Sequence, residues 1–312
     1  MTKLNFEGIR NSAKFSRFKS RYLPLYLMLV PFLLYYIIFK YKPLTGLVIA
    51  FQDYNIFRGI EGSEWVGLKH FINFFKTPTV GRLFRNTLML NFLNILFTFP
   101  APIIFALLLN EVKSKTLKKS VQTLTYIPHF ISSVVAAGIV INMLAPGYGI
   151  ITKLVEAITG KSYFFAVMPA AFRPTYIGMH LWKGLGWSSI VYMSALSSID
   201  TQLYEAAAID GANKLRRIWH ITLPGIMPTI STLLIMRIGS LLESGTETIL
   251  LLQQPATYEV SDVIGTYVYR AGLTDGNYSF STAISLFNSF FDIIFVIIAN
   301  MLSKKLTEVG LW

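Results

Sequence analysis

Six runs of mostly apolar residues, approximately 22–39, 86–109, 121–144, 176–197, 225–246 and 281–302, alternate along the chain with stretches rich in charge, glycine or proline. About 20 such residues in helical form cross roughly 30 Å of hydrocarbon, so each run predicts a spanning helix. The first run, LPLYLMLVPFLLYYIIF, follows a basic stretch as a secretory signal would. The KYKPLTG after it holds no small-residue cleavage site, which predicts a retained span. Pro100, Pro102 and Pro128 fall inside predicted spans and predict kinks, because proline removes a donor and crowds the preceding turn. Connections 40–85, 145–175 and 247–280 are long and carry turn formers such as Pro43, Gly59, Gly67, Pro146, Gly149 and Gly276. The 198–224 connection is too long for a turn and too patterned for a linker.

Composition changes this picture little and sharpens its orientation. The 312 residues are 53% hydrophobic and 14% charged, with a mean hydropathy of +0.52, too few polar groups to coat a water-facing globule. The net charge of +12 suits basic loops held at anionic lipid. With residue 1 placed in the cytoplasm, the inner segments hold 15 of the 28 Lys and Arg residues, from Lys3 through Lys113–Lys119 and Lys214–Arg217 to Lys304 and Lys305. That bias favours an N-in, C-in topology. The expected layout is a basic N-terminus over 1–21, a first span with its outer loop over 22–80, a core transmembrane domain over 81–305, and a cytoplasmic tail over 306–312.

Several chemistries are missing. There is no GxxxxGK[ST] loop to cradle a nucleotide, so any ATP must act through a partner. The chain has no cysteine, and His70, His129, His180 and His220 are scattered without metal-ligand spacing. No bound metal or catalytic residue is expected. Ser132, Ser133, Ser188 and Ser189 lack a GxSxG elbow and read as small residues that let helices approach. A polytopic enzyme acting on a lipid-linked sugar stays open as a rival, although no acidic cluster marks a membrane face.

The segment 200-DTQLYEAAAIDGANKLRRIWHITLPGIMPTI-230 is the informative one. Leu203–Ala208 predicts a short helix, Gly211 its stop in a positive-φ conformation, and Lys214–Thr222 a second short helix ended by Pro224. Two short helices joined by glycine form an elbow between spans. Ala206, Ala207 and Ala208 let another backbone come close, and Glu205 offers one orienting charge. An amphipathic helix lying on lipid explains Leu203 and Trp219 as well, but not the whole spacing.

Glu205-Ala206-Ala207, Gly211, Ile221, Leu223 and Pro224 resemble in full the EAA signature of permease subunits of binding-protein-dependent ABC importers. LVPFLLYYIIFKYKPLTGLVIAFQDYN, EWVGLKHF, RNTL, LLLNEVKSK and TLTYIPHFISSVV are similar to the oligosaccharide and polysaccharide permeases of the LplB type. The resemblance implies an all-α, six-helix membrane protein with the MetI-like fold. It implies a cytoplasmic coupling helix formed by Glu205, Ala206, Ala207 and Gly211, with Ile221, Leu223 and Pro224 fixing the return to the membrane. It further implies a multi-pass protein of the cell membrane that imports an oligosaccharide or polysaccharide fragment. Its partners would be a second EAA-type permease, two copies of a cytoplasmic ATPase carrying ATP and Mg, and an extracellular solute-binding lipoprotein. No cofactor would be bound by this chain. A permease for a non-sugar solute is the rival within transport.

Charges at lipid depth need a partner or water. Arg237 and Asp292 fall near the middle of the fifth and sixth runs, with opposite sign, and predict an ion pair, a contribution to the solute path, or both. Trp182, Lys183, Trp187 and Tyr192 on the fourth run, with Glu243 and Glu247 on the fifth, mix aromatic faces and polar groups as a sugar path requires. Trp and Tyr near an interface also read as ordinary belt residues.

Overall fold

The computed structural model describes residues 22–239 and 245–307. The chain divides into a unit ending at His70 and a larger one beginning at Phe71. In the first unit, α1 (Leu23–Tyr36) opens a helical run that widens to a π turn at Ile37–Tyr41, tightens to 3-10 geometry at Lys42–Phe51 and so extends over Leu23–Phe51. The run departs from the all-α expectation after Phe51, where β1 (Gln52–Asn55) pairs antiparallel with β2 (Gly59–Trp65). Asn55 closes the hairpin by accepting the Phe57 N–H at 2.9 Å, and the Phe51 and Trp65 rings stack at 5.7 Å. Asp53 pairs with Lys69, whose hydrogen bond holds the carboxyl below its usual value, and His70 Nε2 sits 3.0 Å from the Gln52 carbonyl. Lys69 and His70 belong to α2 (Lys69–Lys76).

The second unit is helical. α3 (Val80–Thr98) and α4 (Pro100–Asn110) make one run of Val80–Asn110, because Pro100 stands at the first position of α4, where its missing donor costs nothing. The predicted span 121–144 is corrected: α5 (Lys115–Tyr126), with a 3-10 turn at Ile127–Phe130, meets α6 (Ser133–Met143) at 104°. This is a corner, sharper than the expected kink. Pro128 tightens the end of the first helix, and Ser132 starts a new one by accepting the Val135 N–H at 3.3 Å. After α7 (Ile150–Thr159) comes α8 (Pro169–Ser197), which packs on α3, α4, α5 and α6. Among the described residues, four runs are long and apolar enough to cross a membrane, namely Leu23–Phe51, Val80–Asn110, Lys214–Gly239 and Tyr278–Lys305, or five with the bent pair. α8 falls outside them because a helix surrounded by helices can carry Arg173, His180 and Lys183.

The elbow follows as α9 (Thr201–Ile209) and α10 (Lys214–Arg217). Pro224 does not end the second helix as its sequence suggests. A π turn at Ile218–Thr222 carries the chain straight into α11 (Leu223–Gly239). The same device precedes Pro43: each π turn stops two residues before a proline, and its i→i+5 bond, Leu223 N–H to Ile218 or Lys42 N–H to Ile37, relieves the crowded carbonyl. The 247–280 connection is likewise no open loop. It folds into α12 (Thr246–Leu252), α13 (Tyr258–Ser261) and α14 (Ile264–Tyr269), burying Ile249, Leu252, Val263 and Ile264 against α3, α6 and α8. α15 (Tyr278–Thr307) then runs along α11. They cross closely at Gly239, where a Cβ would collide with Val296.

Candidate functional site

The elbow is closed by its own hydrogen bonds. Asp200 caps α9 by accepting the Gln202 N–H at 2.9 Å. At the other end Gly211 has φ +75°, its N–H reaches the Ala208 carbonyl at 3.1 Å, and the Ala212 N–H reaches the Ala207 carbonyl at 2.8 Å. These two bonds with a left-handed glycine form a Schellman stop. Asn213 immediately caps α10, accepting the Arg216 N–H at 2.9 Å. The expected positive φ at Gly211 is thus present, and no atom lies within 4 Å of where a Cβ would sit, so the constraint is backbone strain alone.

Three contacts fasten this elbow to the bundle. The Tyr204 hydroxyl lies 3.0 Å from Thr222 Oγ1, joining α9 to the π turn. Lys214 pairs with Glu111 at 3.2 Å, at the end of α4. Behind them, Ile226 is fully buried among Ala106, Tyr192 and Leu196 of α4 and α8. On the free side Glu205, Ala206 and Ala208 are exposed, and so is Ile209, at 87%. Ile209 went unremarked in the sequence; its signal was an apolar residue beside Asp210, where a solvated turn prefers polar ones. Of the remaining signature residues, Ile221 and Leu223 are half-buried and Pro224 is exposed.

A polar lining rises from the elbow end between α3, α8 and α11. A cavity of about 400 Å³ is bounded by Thr98, His180, Trp187, Tyr192, Leu233 and Arg237. A second, of about 270 Å³, is bounded by Asn91, Asn94, Tyr176, His180, Arg237 and Gly245. His180 and Arg237 border both, so the two are neighbours. Asn94 Oδ1 and His180 Nε2 are buried and without a hydrogen-bond partner among the described residues. Such groups are costly in a dry interior and natural in one that admits water or solute.

Of the path residues expected from sequence, Trp187, Tyr192 and Arg237 meet in this lining. Trp182 does not; it borders a separate apolar groove with Val140, Val155 and Phe165. Lys183 donates to Ser133 Oγ at 3.4 Å, at the corner of the bent pair. Trp187 stacks on His129 of that corner, with ring centroids 4.4 Å apart and planes within 2°. Glu247 is exposed in the first turn of α12, and Glu243 lies outside the described residues. Arg237 on α11 and Asp292 on the neighbouring α15 are each engaged in polar or electrostatic contacts. Asn91, Asn94, Tyr176 and His180 were missed. Thr87, Asn91, Asn94 and Thr98 stand four, three and four residues apart, one face of a helix, and that spacing was the available signal.

Residues 80–308 match the family described as the binding-protein-dependent transport system inner membrane component. The chain belongs to this family of transport subunits. The permease is 48% identical to the polygalacturonan/rhamnogalacturonan transport system permease protein YteP of Bacillus subtilis (strain 168), over 92% of this chain and 90% of that one. It is 46% identical to protein LplB of the same organism, over 92% and 91%. A chain in the crystal structure of a bacterial ABC transporter involved in the import of the acidic polysaccharide alginate superposes with a TM-score of 0.87 at 42% identity, covering 94% of the permease and 99% of that chain. A second crystal structure, of bacterial alginate ABC transporter in complex with alginate pentasaccharide-bound periplasmic protein, gives 0.86 at 43%, covering 94% and 98%. The MetI-like permease fold and a membrane-integral protein follow from these matches.

Proposed function

We propose that the permease carries an oligosaccharide or polysaccharide fragment across the plasma membrane as one of two unlike EAA-type subunits of an ABC importer. A solute-binding lipoprotein outside delivers the sugar, and two copies of a cytoplasmic ATPase, holding ATP and Mg, supply the energy. The permease itself binds no cofactor in this reading. Six spans are proposed: the four apolar runs, the bent pair and α8. Both ends are assigned to the cytoplasm, in keeping with the basic residues of α10 and with Lys304 and Lys305 at the end of α15.

The observation that carries the reading is the elbow. α9 presents Glu205, Ala206 and Ile209 to a partner while Tyr204, Lys214 and the unbroken run Lys214–Gly239 tie it to the lining. A push on α9 therefore reaches α11, which holds Arg237 in the cavity wall. In this scheme Glu205, Ala206, Ala207 and Gly211 engage the ATPase, and Ile221, Leu223 and Pro224 set the angle of α11. Arg237, Trp187 and Tyr192, joined by His180, Asn91 and Asn94, face the passing sugar. The rings stack on apolar sugar faces and the polar groups take hydroxyls.

The test is ATP-dependent uptake of labelled oligosaccharides by proteoliposomes holding the complete complex and its binding protein. Uptake that needs all four kinds of subunit is expected. Hydrolysis or transfer on a lipid-linked sugar by the isolated permease would replace this reading with the enzymatic rival.

A further inference from the structure

The end of the bundle away from the elbow gathers four arginines. α3 brings Arg82 and Arg85, α8 brings Arg173, and Arg270 follows α14. Asp262, buried between α13 and α14, neutralises part of this charge: Arg270 Nη2 donates to both its oxygens at 2.7 and 2.9 Å, and Arg82 lies at 3.9 Å. Thr266 adds a second donor at 2.8 Å. That carboxylate is fully engaged.

Arg85 and Arg173 are held differently. None of the ion pairs among the described residues includes either. Arg85 Nη2 reaches the Glu259 carbonyl at 3.3 Å, and Arg173 Nη2 reaches Asn86 Oδ1 at 3.4 Å. Asn86 donates to the same Glu259 carbonyl at 2.9 Å, so one short chain of neutral groups sets the two guanidiniums side by side, near enough for Arg85 to act electrostatically on Arg173. Both contacts are longer than the usual N–H···O range of roughly 2.7–3.2 Å. Arg173 Nε is buried with no acceptor among the described residues, as are Arg82 Nε and Arg270 Nη1. Two like charges parked on weak neutral acceptors gain most from an incoming anion, and a planar carboxylate fits a guanidinium through two parallel bonds.

Deeper on α8 stand Tyr176 and His180, and Arg237 on α11 faces His180 across both cavities. Among the described residues neither cavity has a carboxylate in its wall.

We propose that Arg85 and Arg173 form a receiving site for a sugar carboxylate at the outer mouth, so that the cargo is an acidic, uronate-bearing oligosaccharide. The proposal rests on the sugar-import reading above and adds to it the cargo's charge and the residues that meet it. The pair takes the carboxylate from the docked binding protein, and walls with Arg237 and no carboxylate among the described residues set no like charge in its way inward.

The test uses the complete complex in proteoliposomes, with trigalacturonate, its fully methyl-esterified form and galactotriose as probes. The wild-type complex is expected to prefer the acid. Arg85→Gln with Arg173→Gln should slow uptake of trigalacturonate at least about tenfold, the worth of one hydrogen bond to a charged group. Its effect on the ester should be under about twofold, with yield of assembled complex as the folding control. Arg85→Lys with Arg173→Lys should recover only part of the loss, because an ammonium keeps the charge and not the two parallel bonds. Equal slowing of acid and ester would reduce the arginines to a structural latch and overturn the proposal. So would unchanged uptake, or a matching rise in the concentration of loaded binding protein required, which would assign them to docking. A wild-type complex that imports only the neutral probes overturns this inference and leaves sugar import standing. One that imports none of the three, nor any other oligosaccharide supplied, overturns both.

Discussion

Replacing Gly211 isolates the elbow from everything else in the molecule. Its φ of +75° disfavours any side chain, whereas the space around it is empty, so the penalty is conformational and not a clash. A left-handed residue other than glycine costs about 1–2 kcal/mol, less for Asn and more for a β-branched residue. The two Schellman bonds to Ala207 and Ala208 break if the chain escapes that strain by unwinding. At about 1–2 kcal/mol, the population of the closed elbow falls roughly 5–30-fold relative to its unwound forms. Binding-protein-stimulated ATP hydrolysis and sugar uptake by the reconstituted complex should therefore decline together in the order Gly, Asn, Ala, Val. Assembly with the second permease should stay near normal, since Gly211 is exposed. A Gly211→Val complex that transports at the wild-type rate would refute the reasoning, as would Asn performing no better than Val.

Three further outcomes are expected. Arg237→Met or Asp292→Leu alone should lower the yield of complex by an amount equivalent to about 3–5 kcal/mol if the two are a buried pair, and the double change should restore much of it; additive losses would show them uncoupled. Tyr204→Phe should cost roughly 0.5–1.5 kcal/mol in coupling by removing the 3.0 Å bond to Thr222, and Thr222→Val should add little to it; independent effects would mean the bond does not fasten the elbow. Single cysteines at Ser114 and Ser303 should resist an impermeant thiol reagent in intact cells while one at Ser162 reacts, on a background free of native cysteine; the reverse pattern would invert the topology.

How much of this was legible in the sequence depends on how local the cause was. Gly211, Asp200 and Asn213 act through hydrogen bonds within a few residues, so the caps and stop of the elbow could be read from spacing alone. Pro224 misled because a proline's effect depends on the turn before it, and the π turn at Ile218–Thr222 absorbs it. Pro128 misled in the other direction: beside a free Ser132 cap, a proline in an apolar run makes a corner of 104°. Averaging hydropathy over 86–109 hid Asn91 and Asn94, whose importance lies in sharing a helical face with Thr87 and Thr98. The burial of 247–280 could not be read locally, since Asp262 and Ile264 find their place through hydrogen bonds to Asn86 and Thr87 of α3, far off in sequence. Trp182 and Trp187 are five residues apart on one helix and so point to different faces, a distinction composition does not make.

The central claim is that α9 is where the ATPase takes hold. A single cysteine at Ile209, 87% exposed, can carry a benzophenone maleimide in the otherwise cysteine-free permease. Ile158 on α7, 85% exposed, serves as the control. Ultraviolet irradiation of the assembled complex should join the Ile209 derivative to the ATPase, giving an adduct of their summed mass, with a yield that changes when ATP is added. The Ile158 derivative should give none. An ATPase adduct from Ile158 and none from Ile209 would contradict the account.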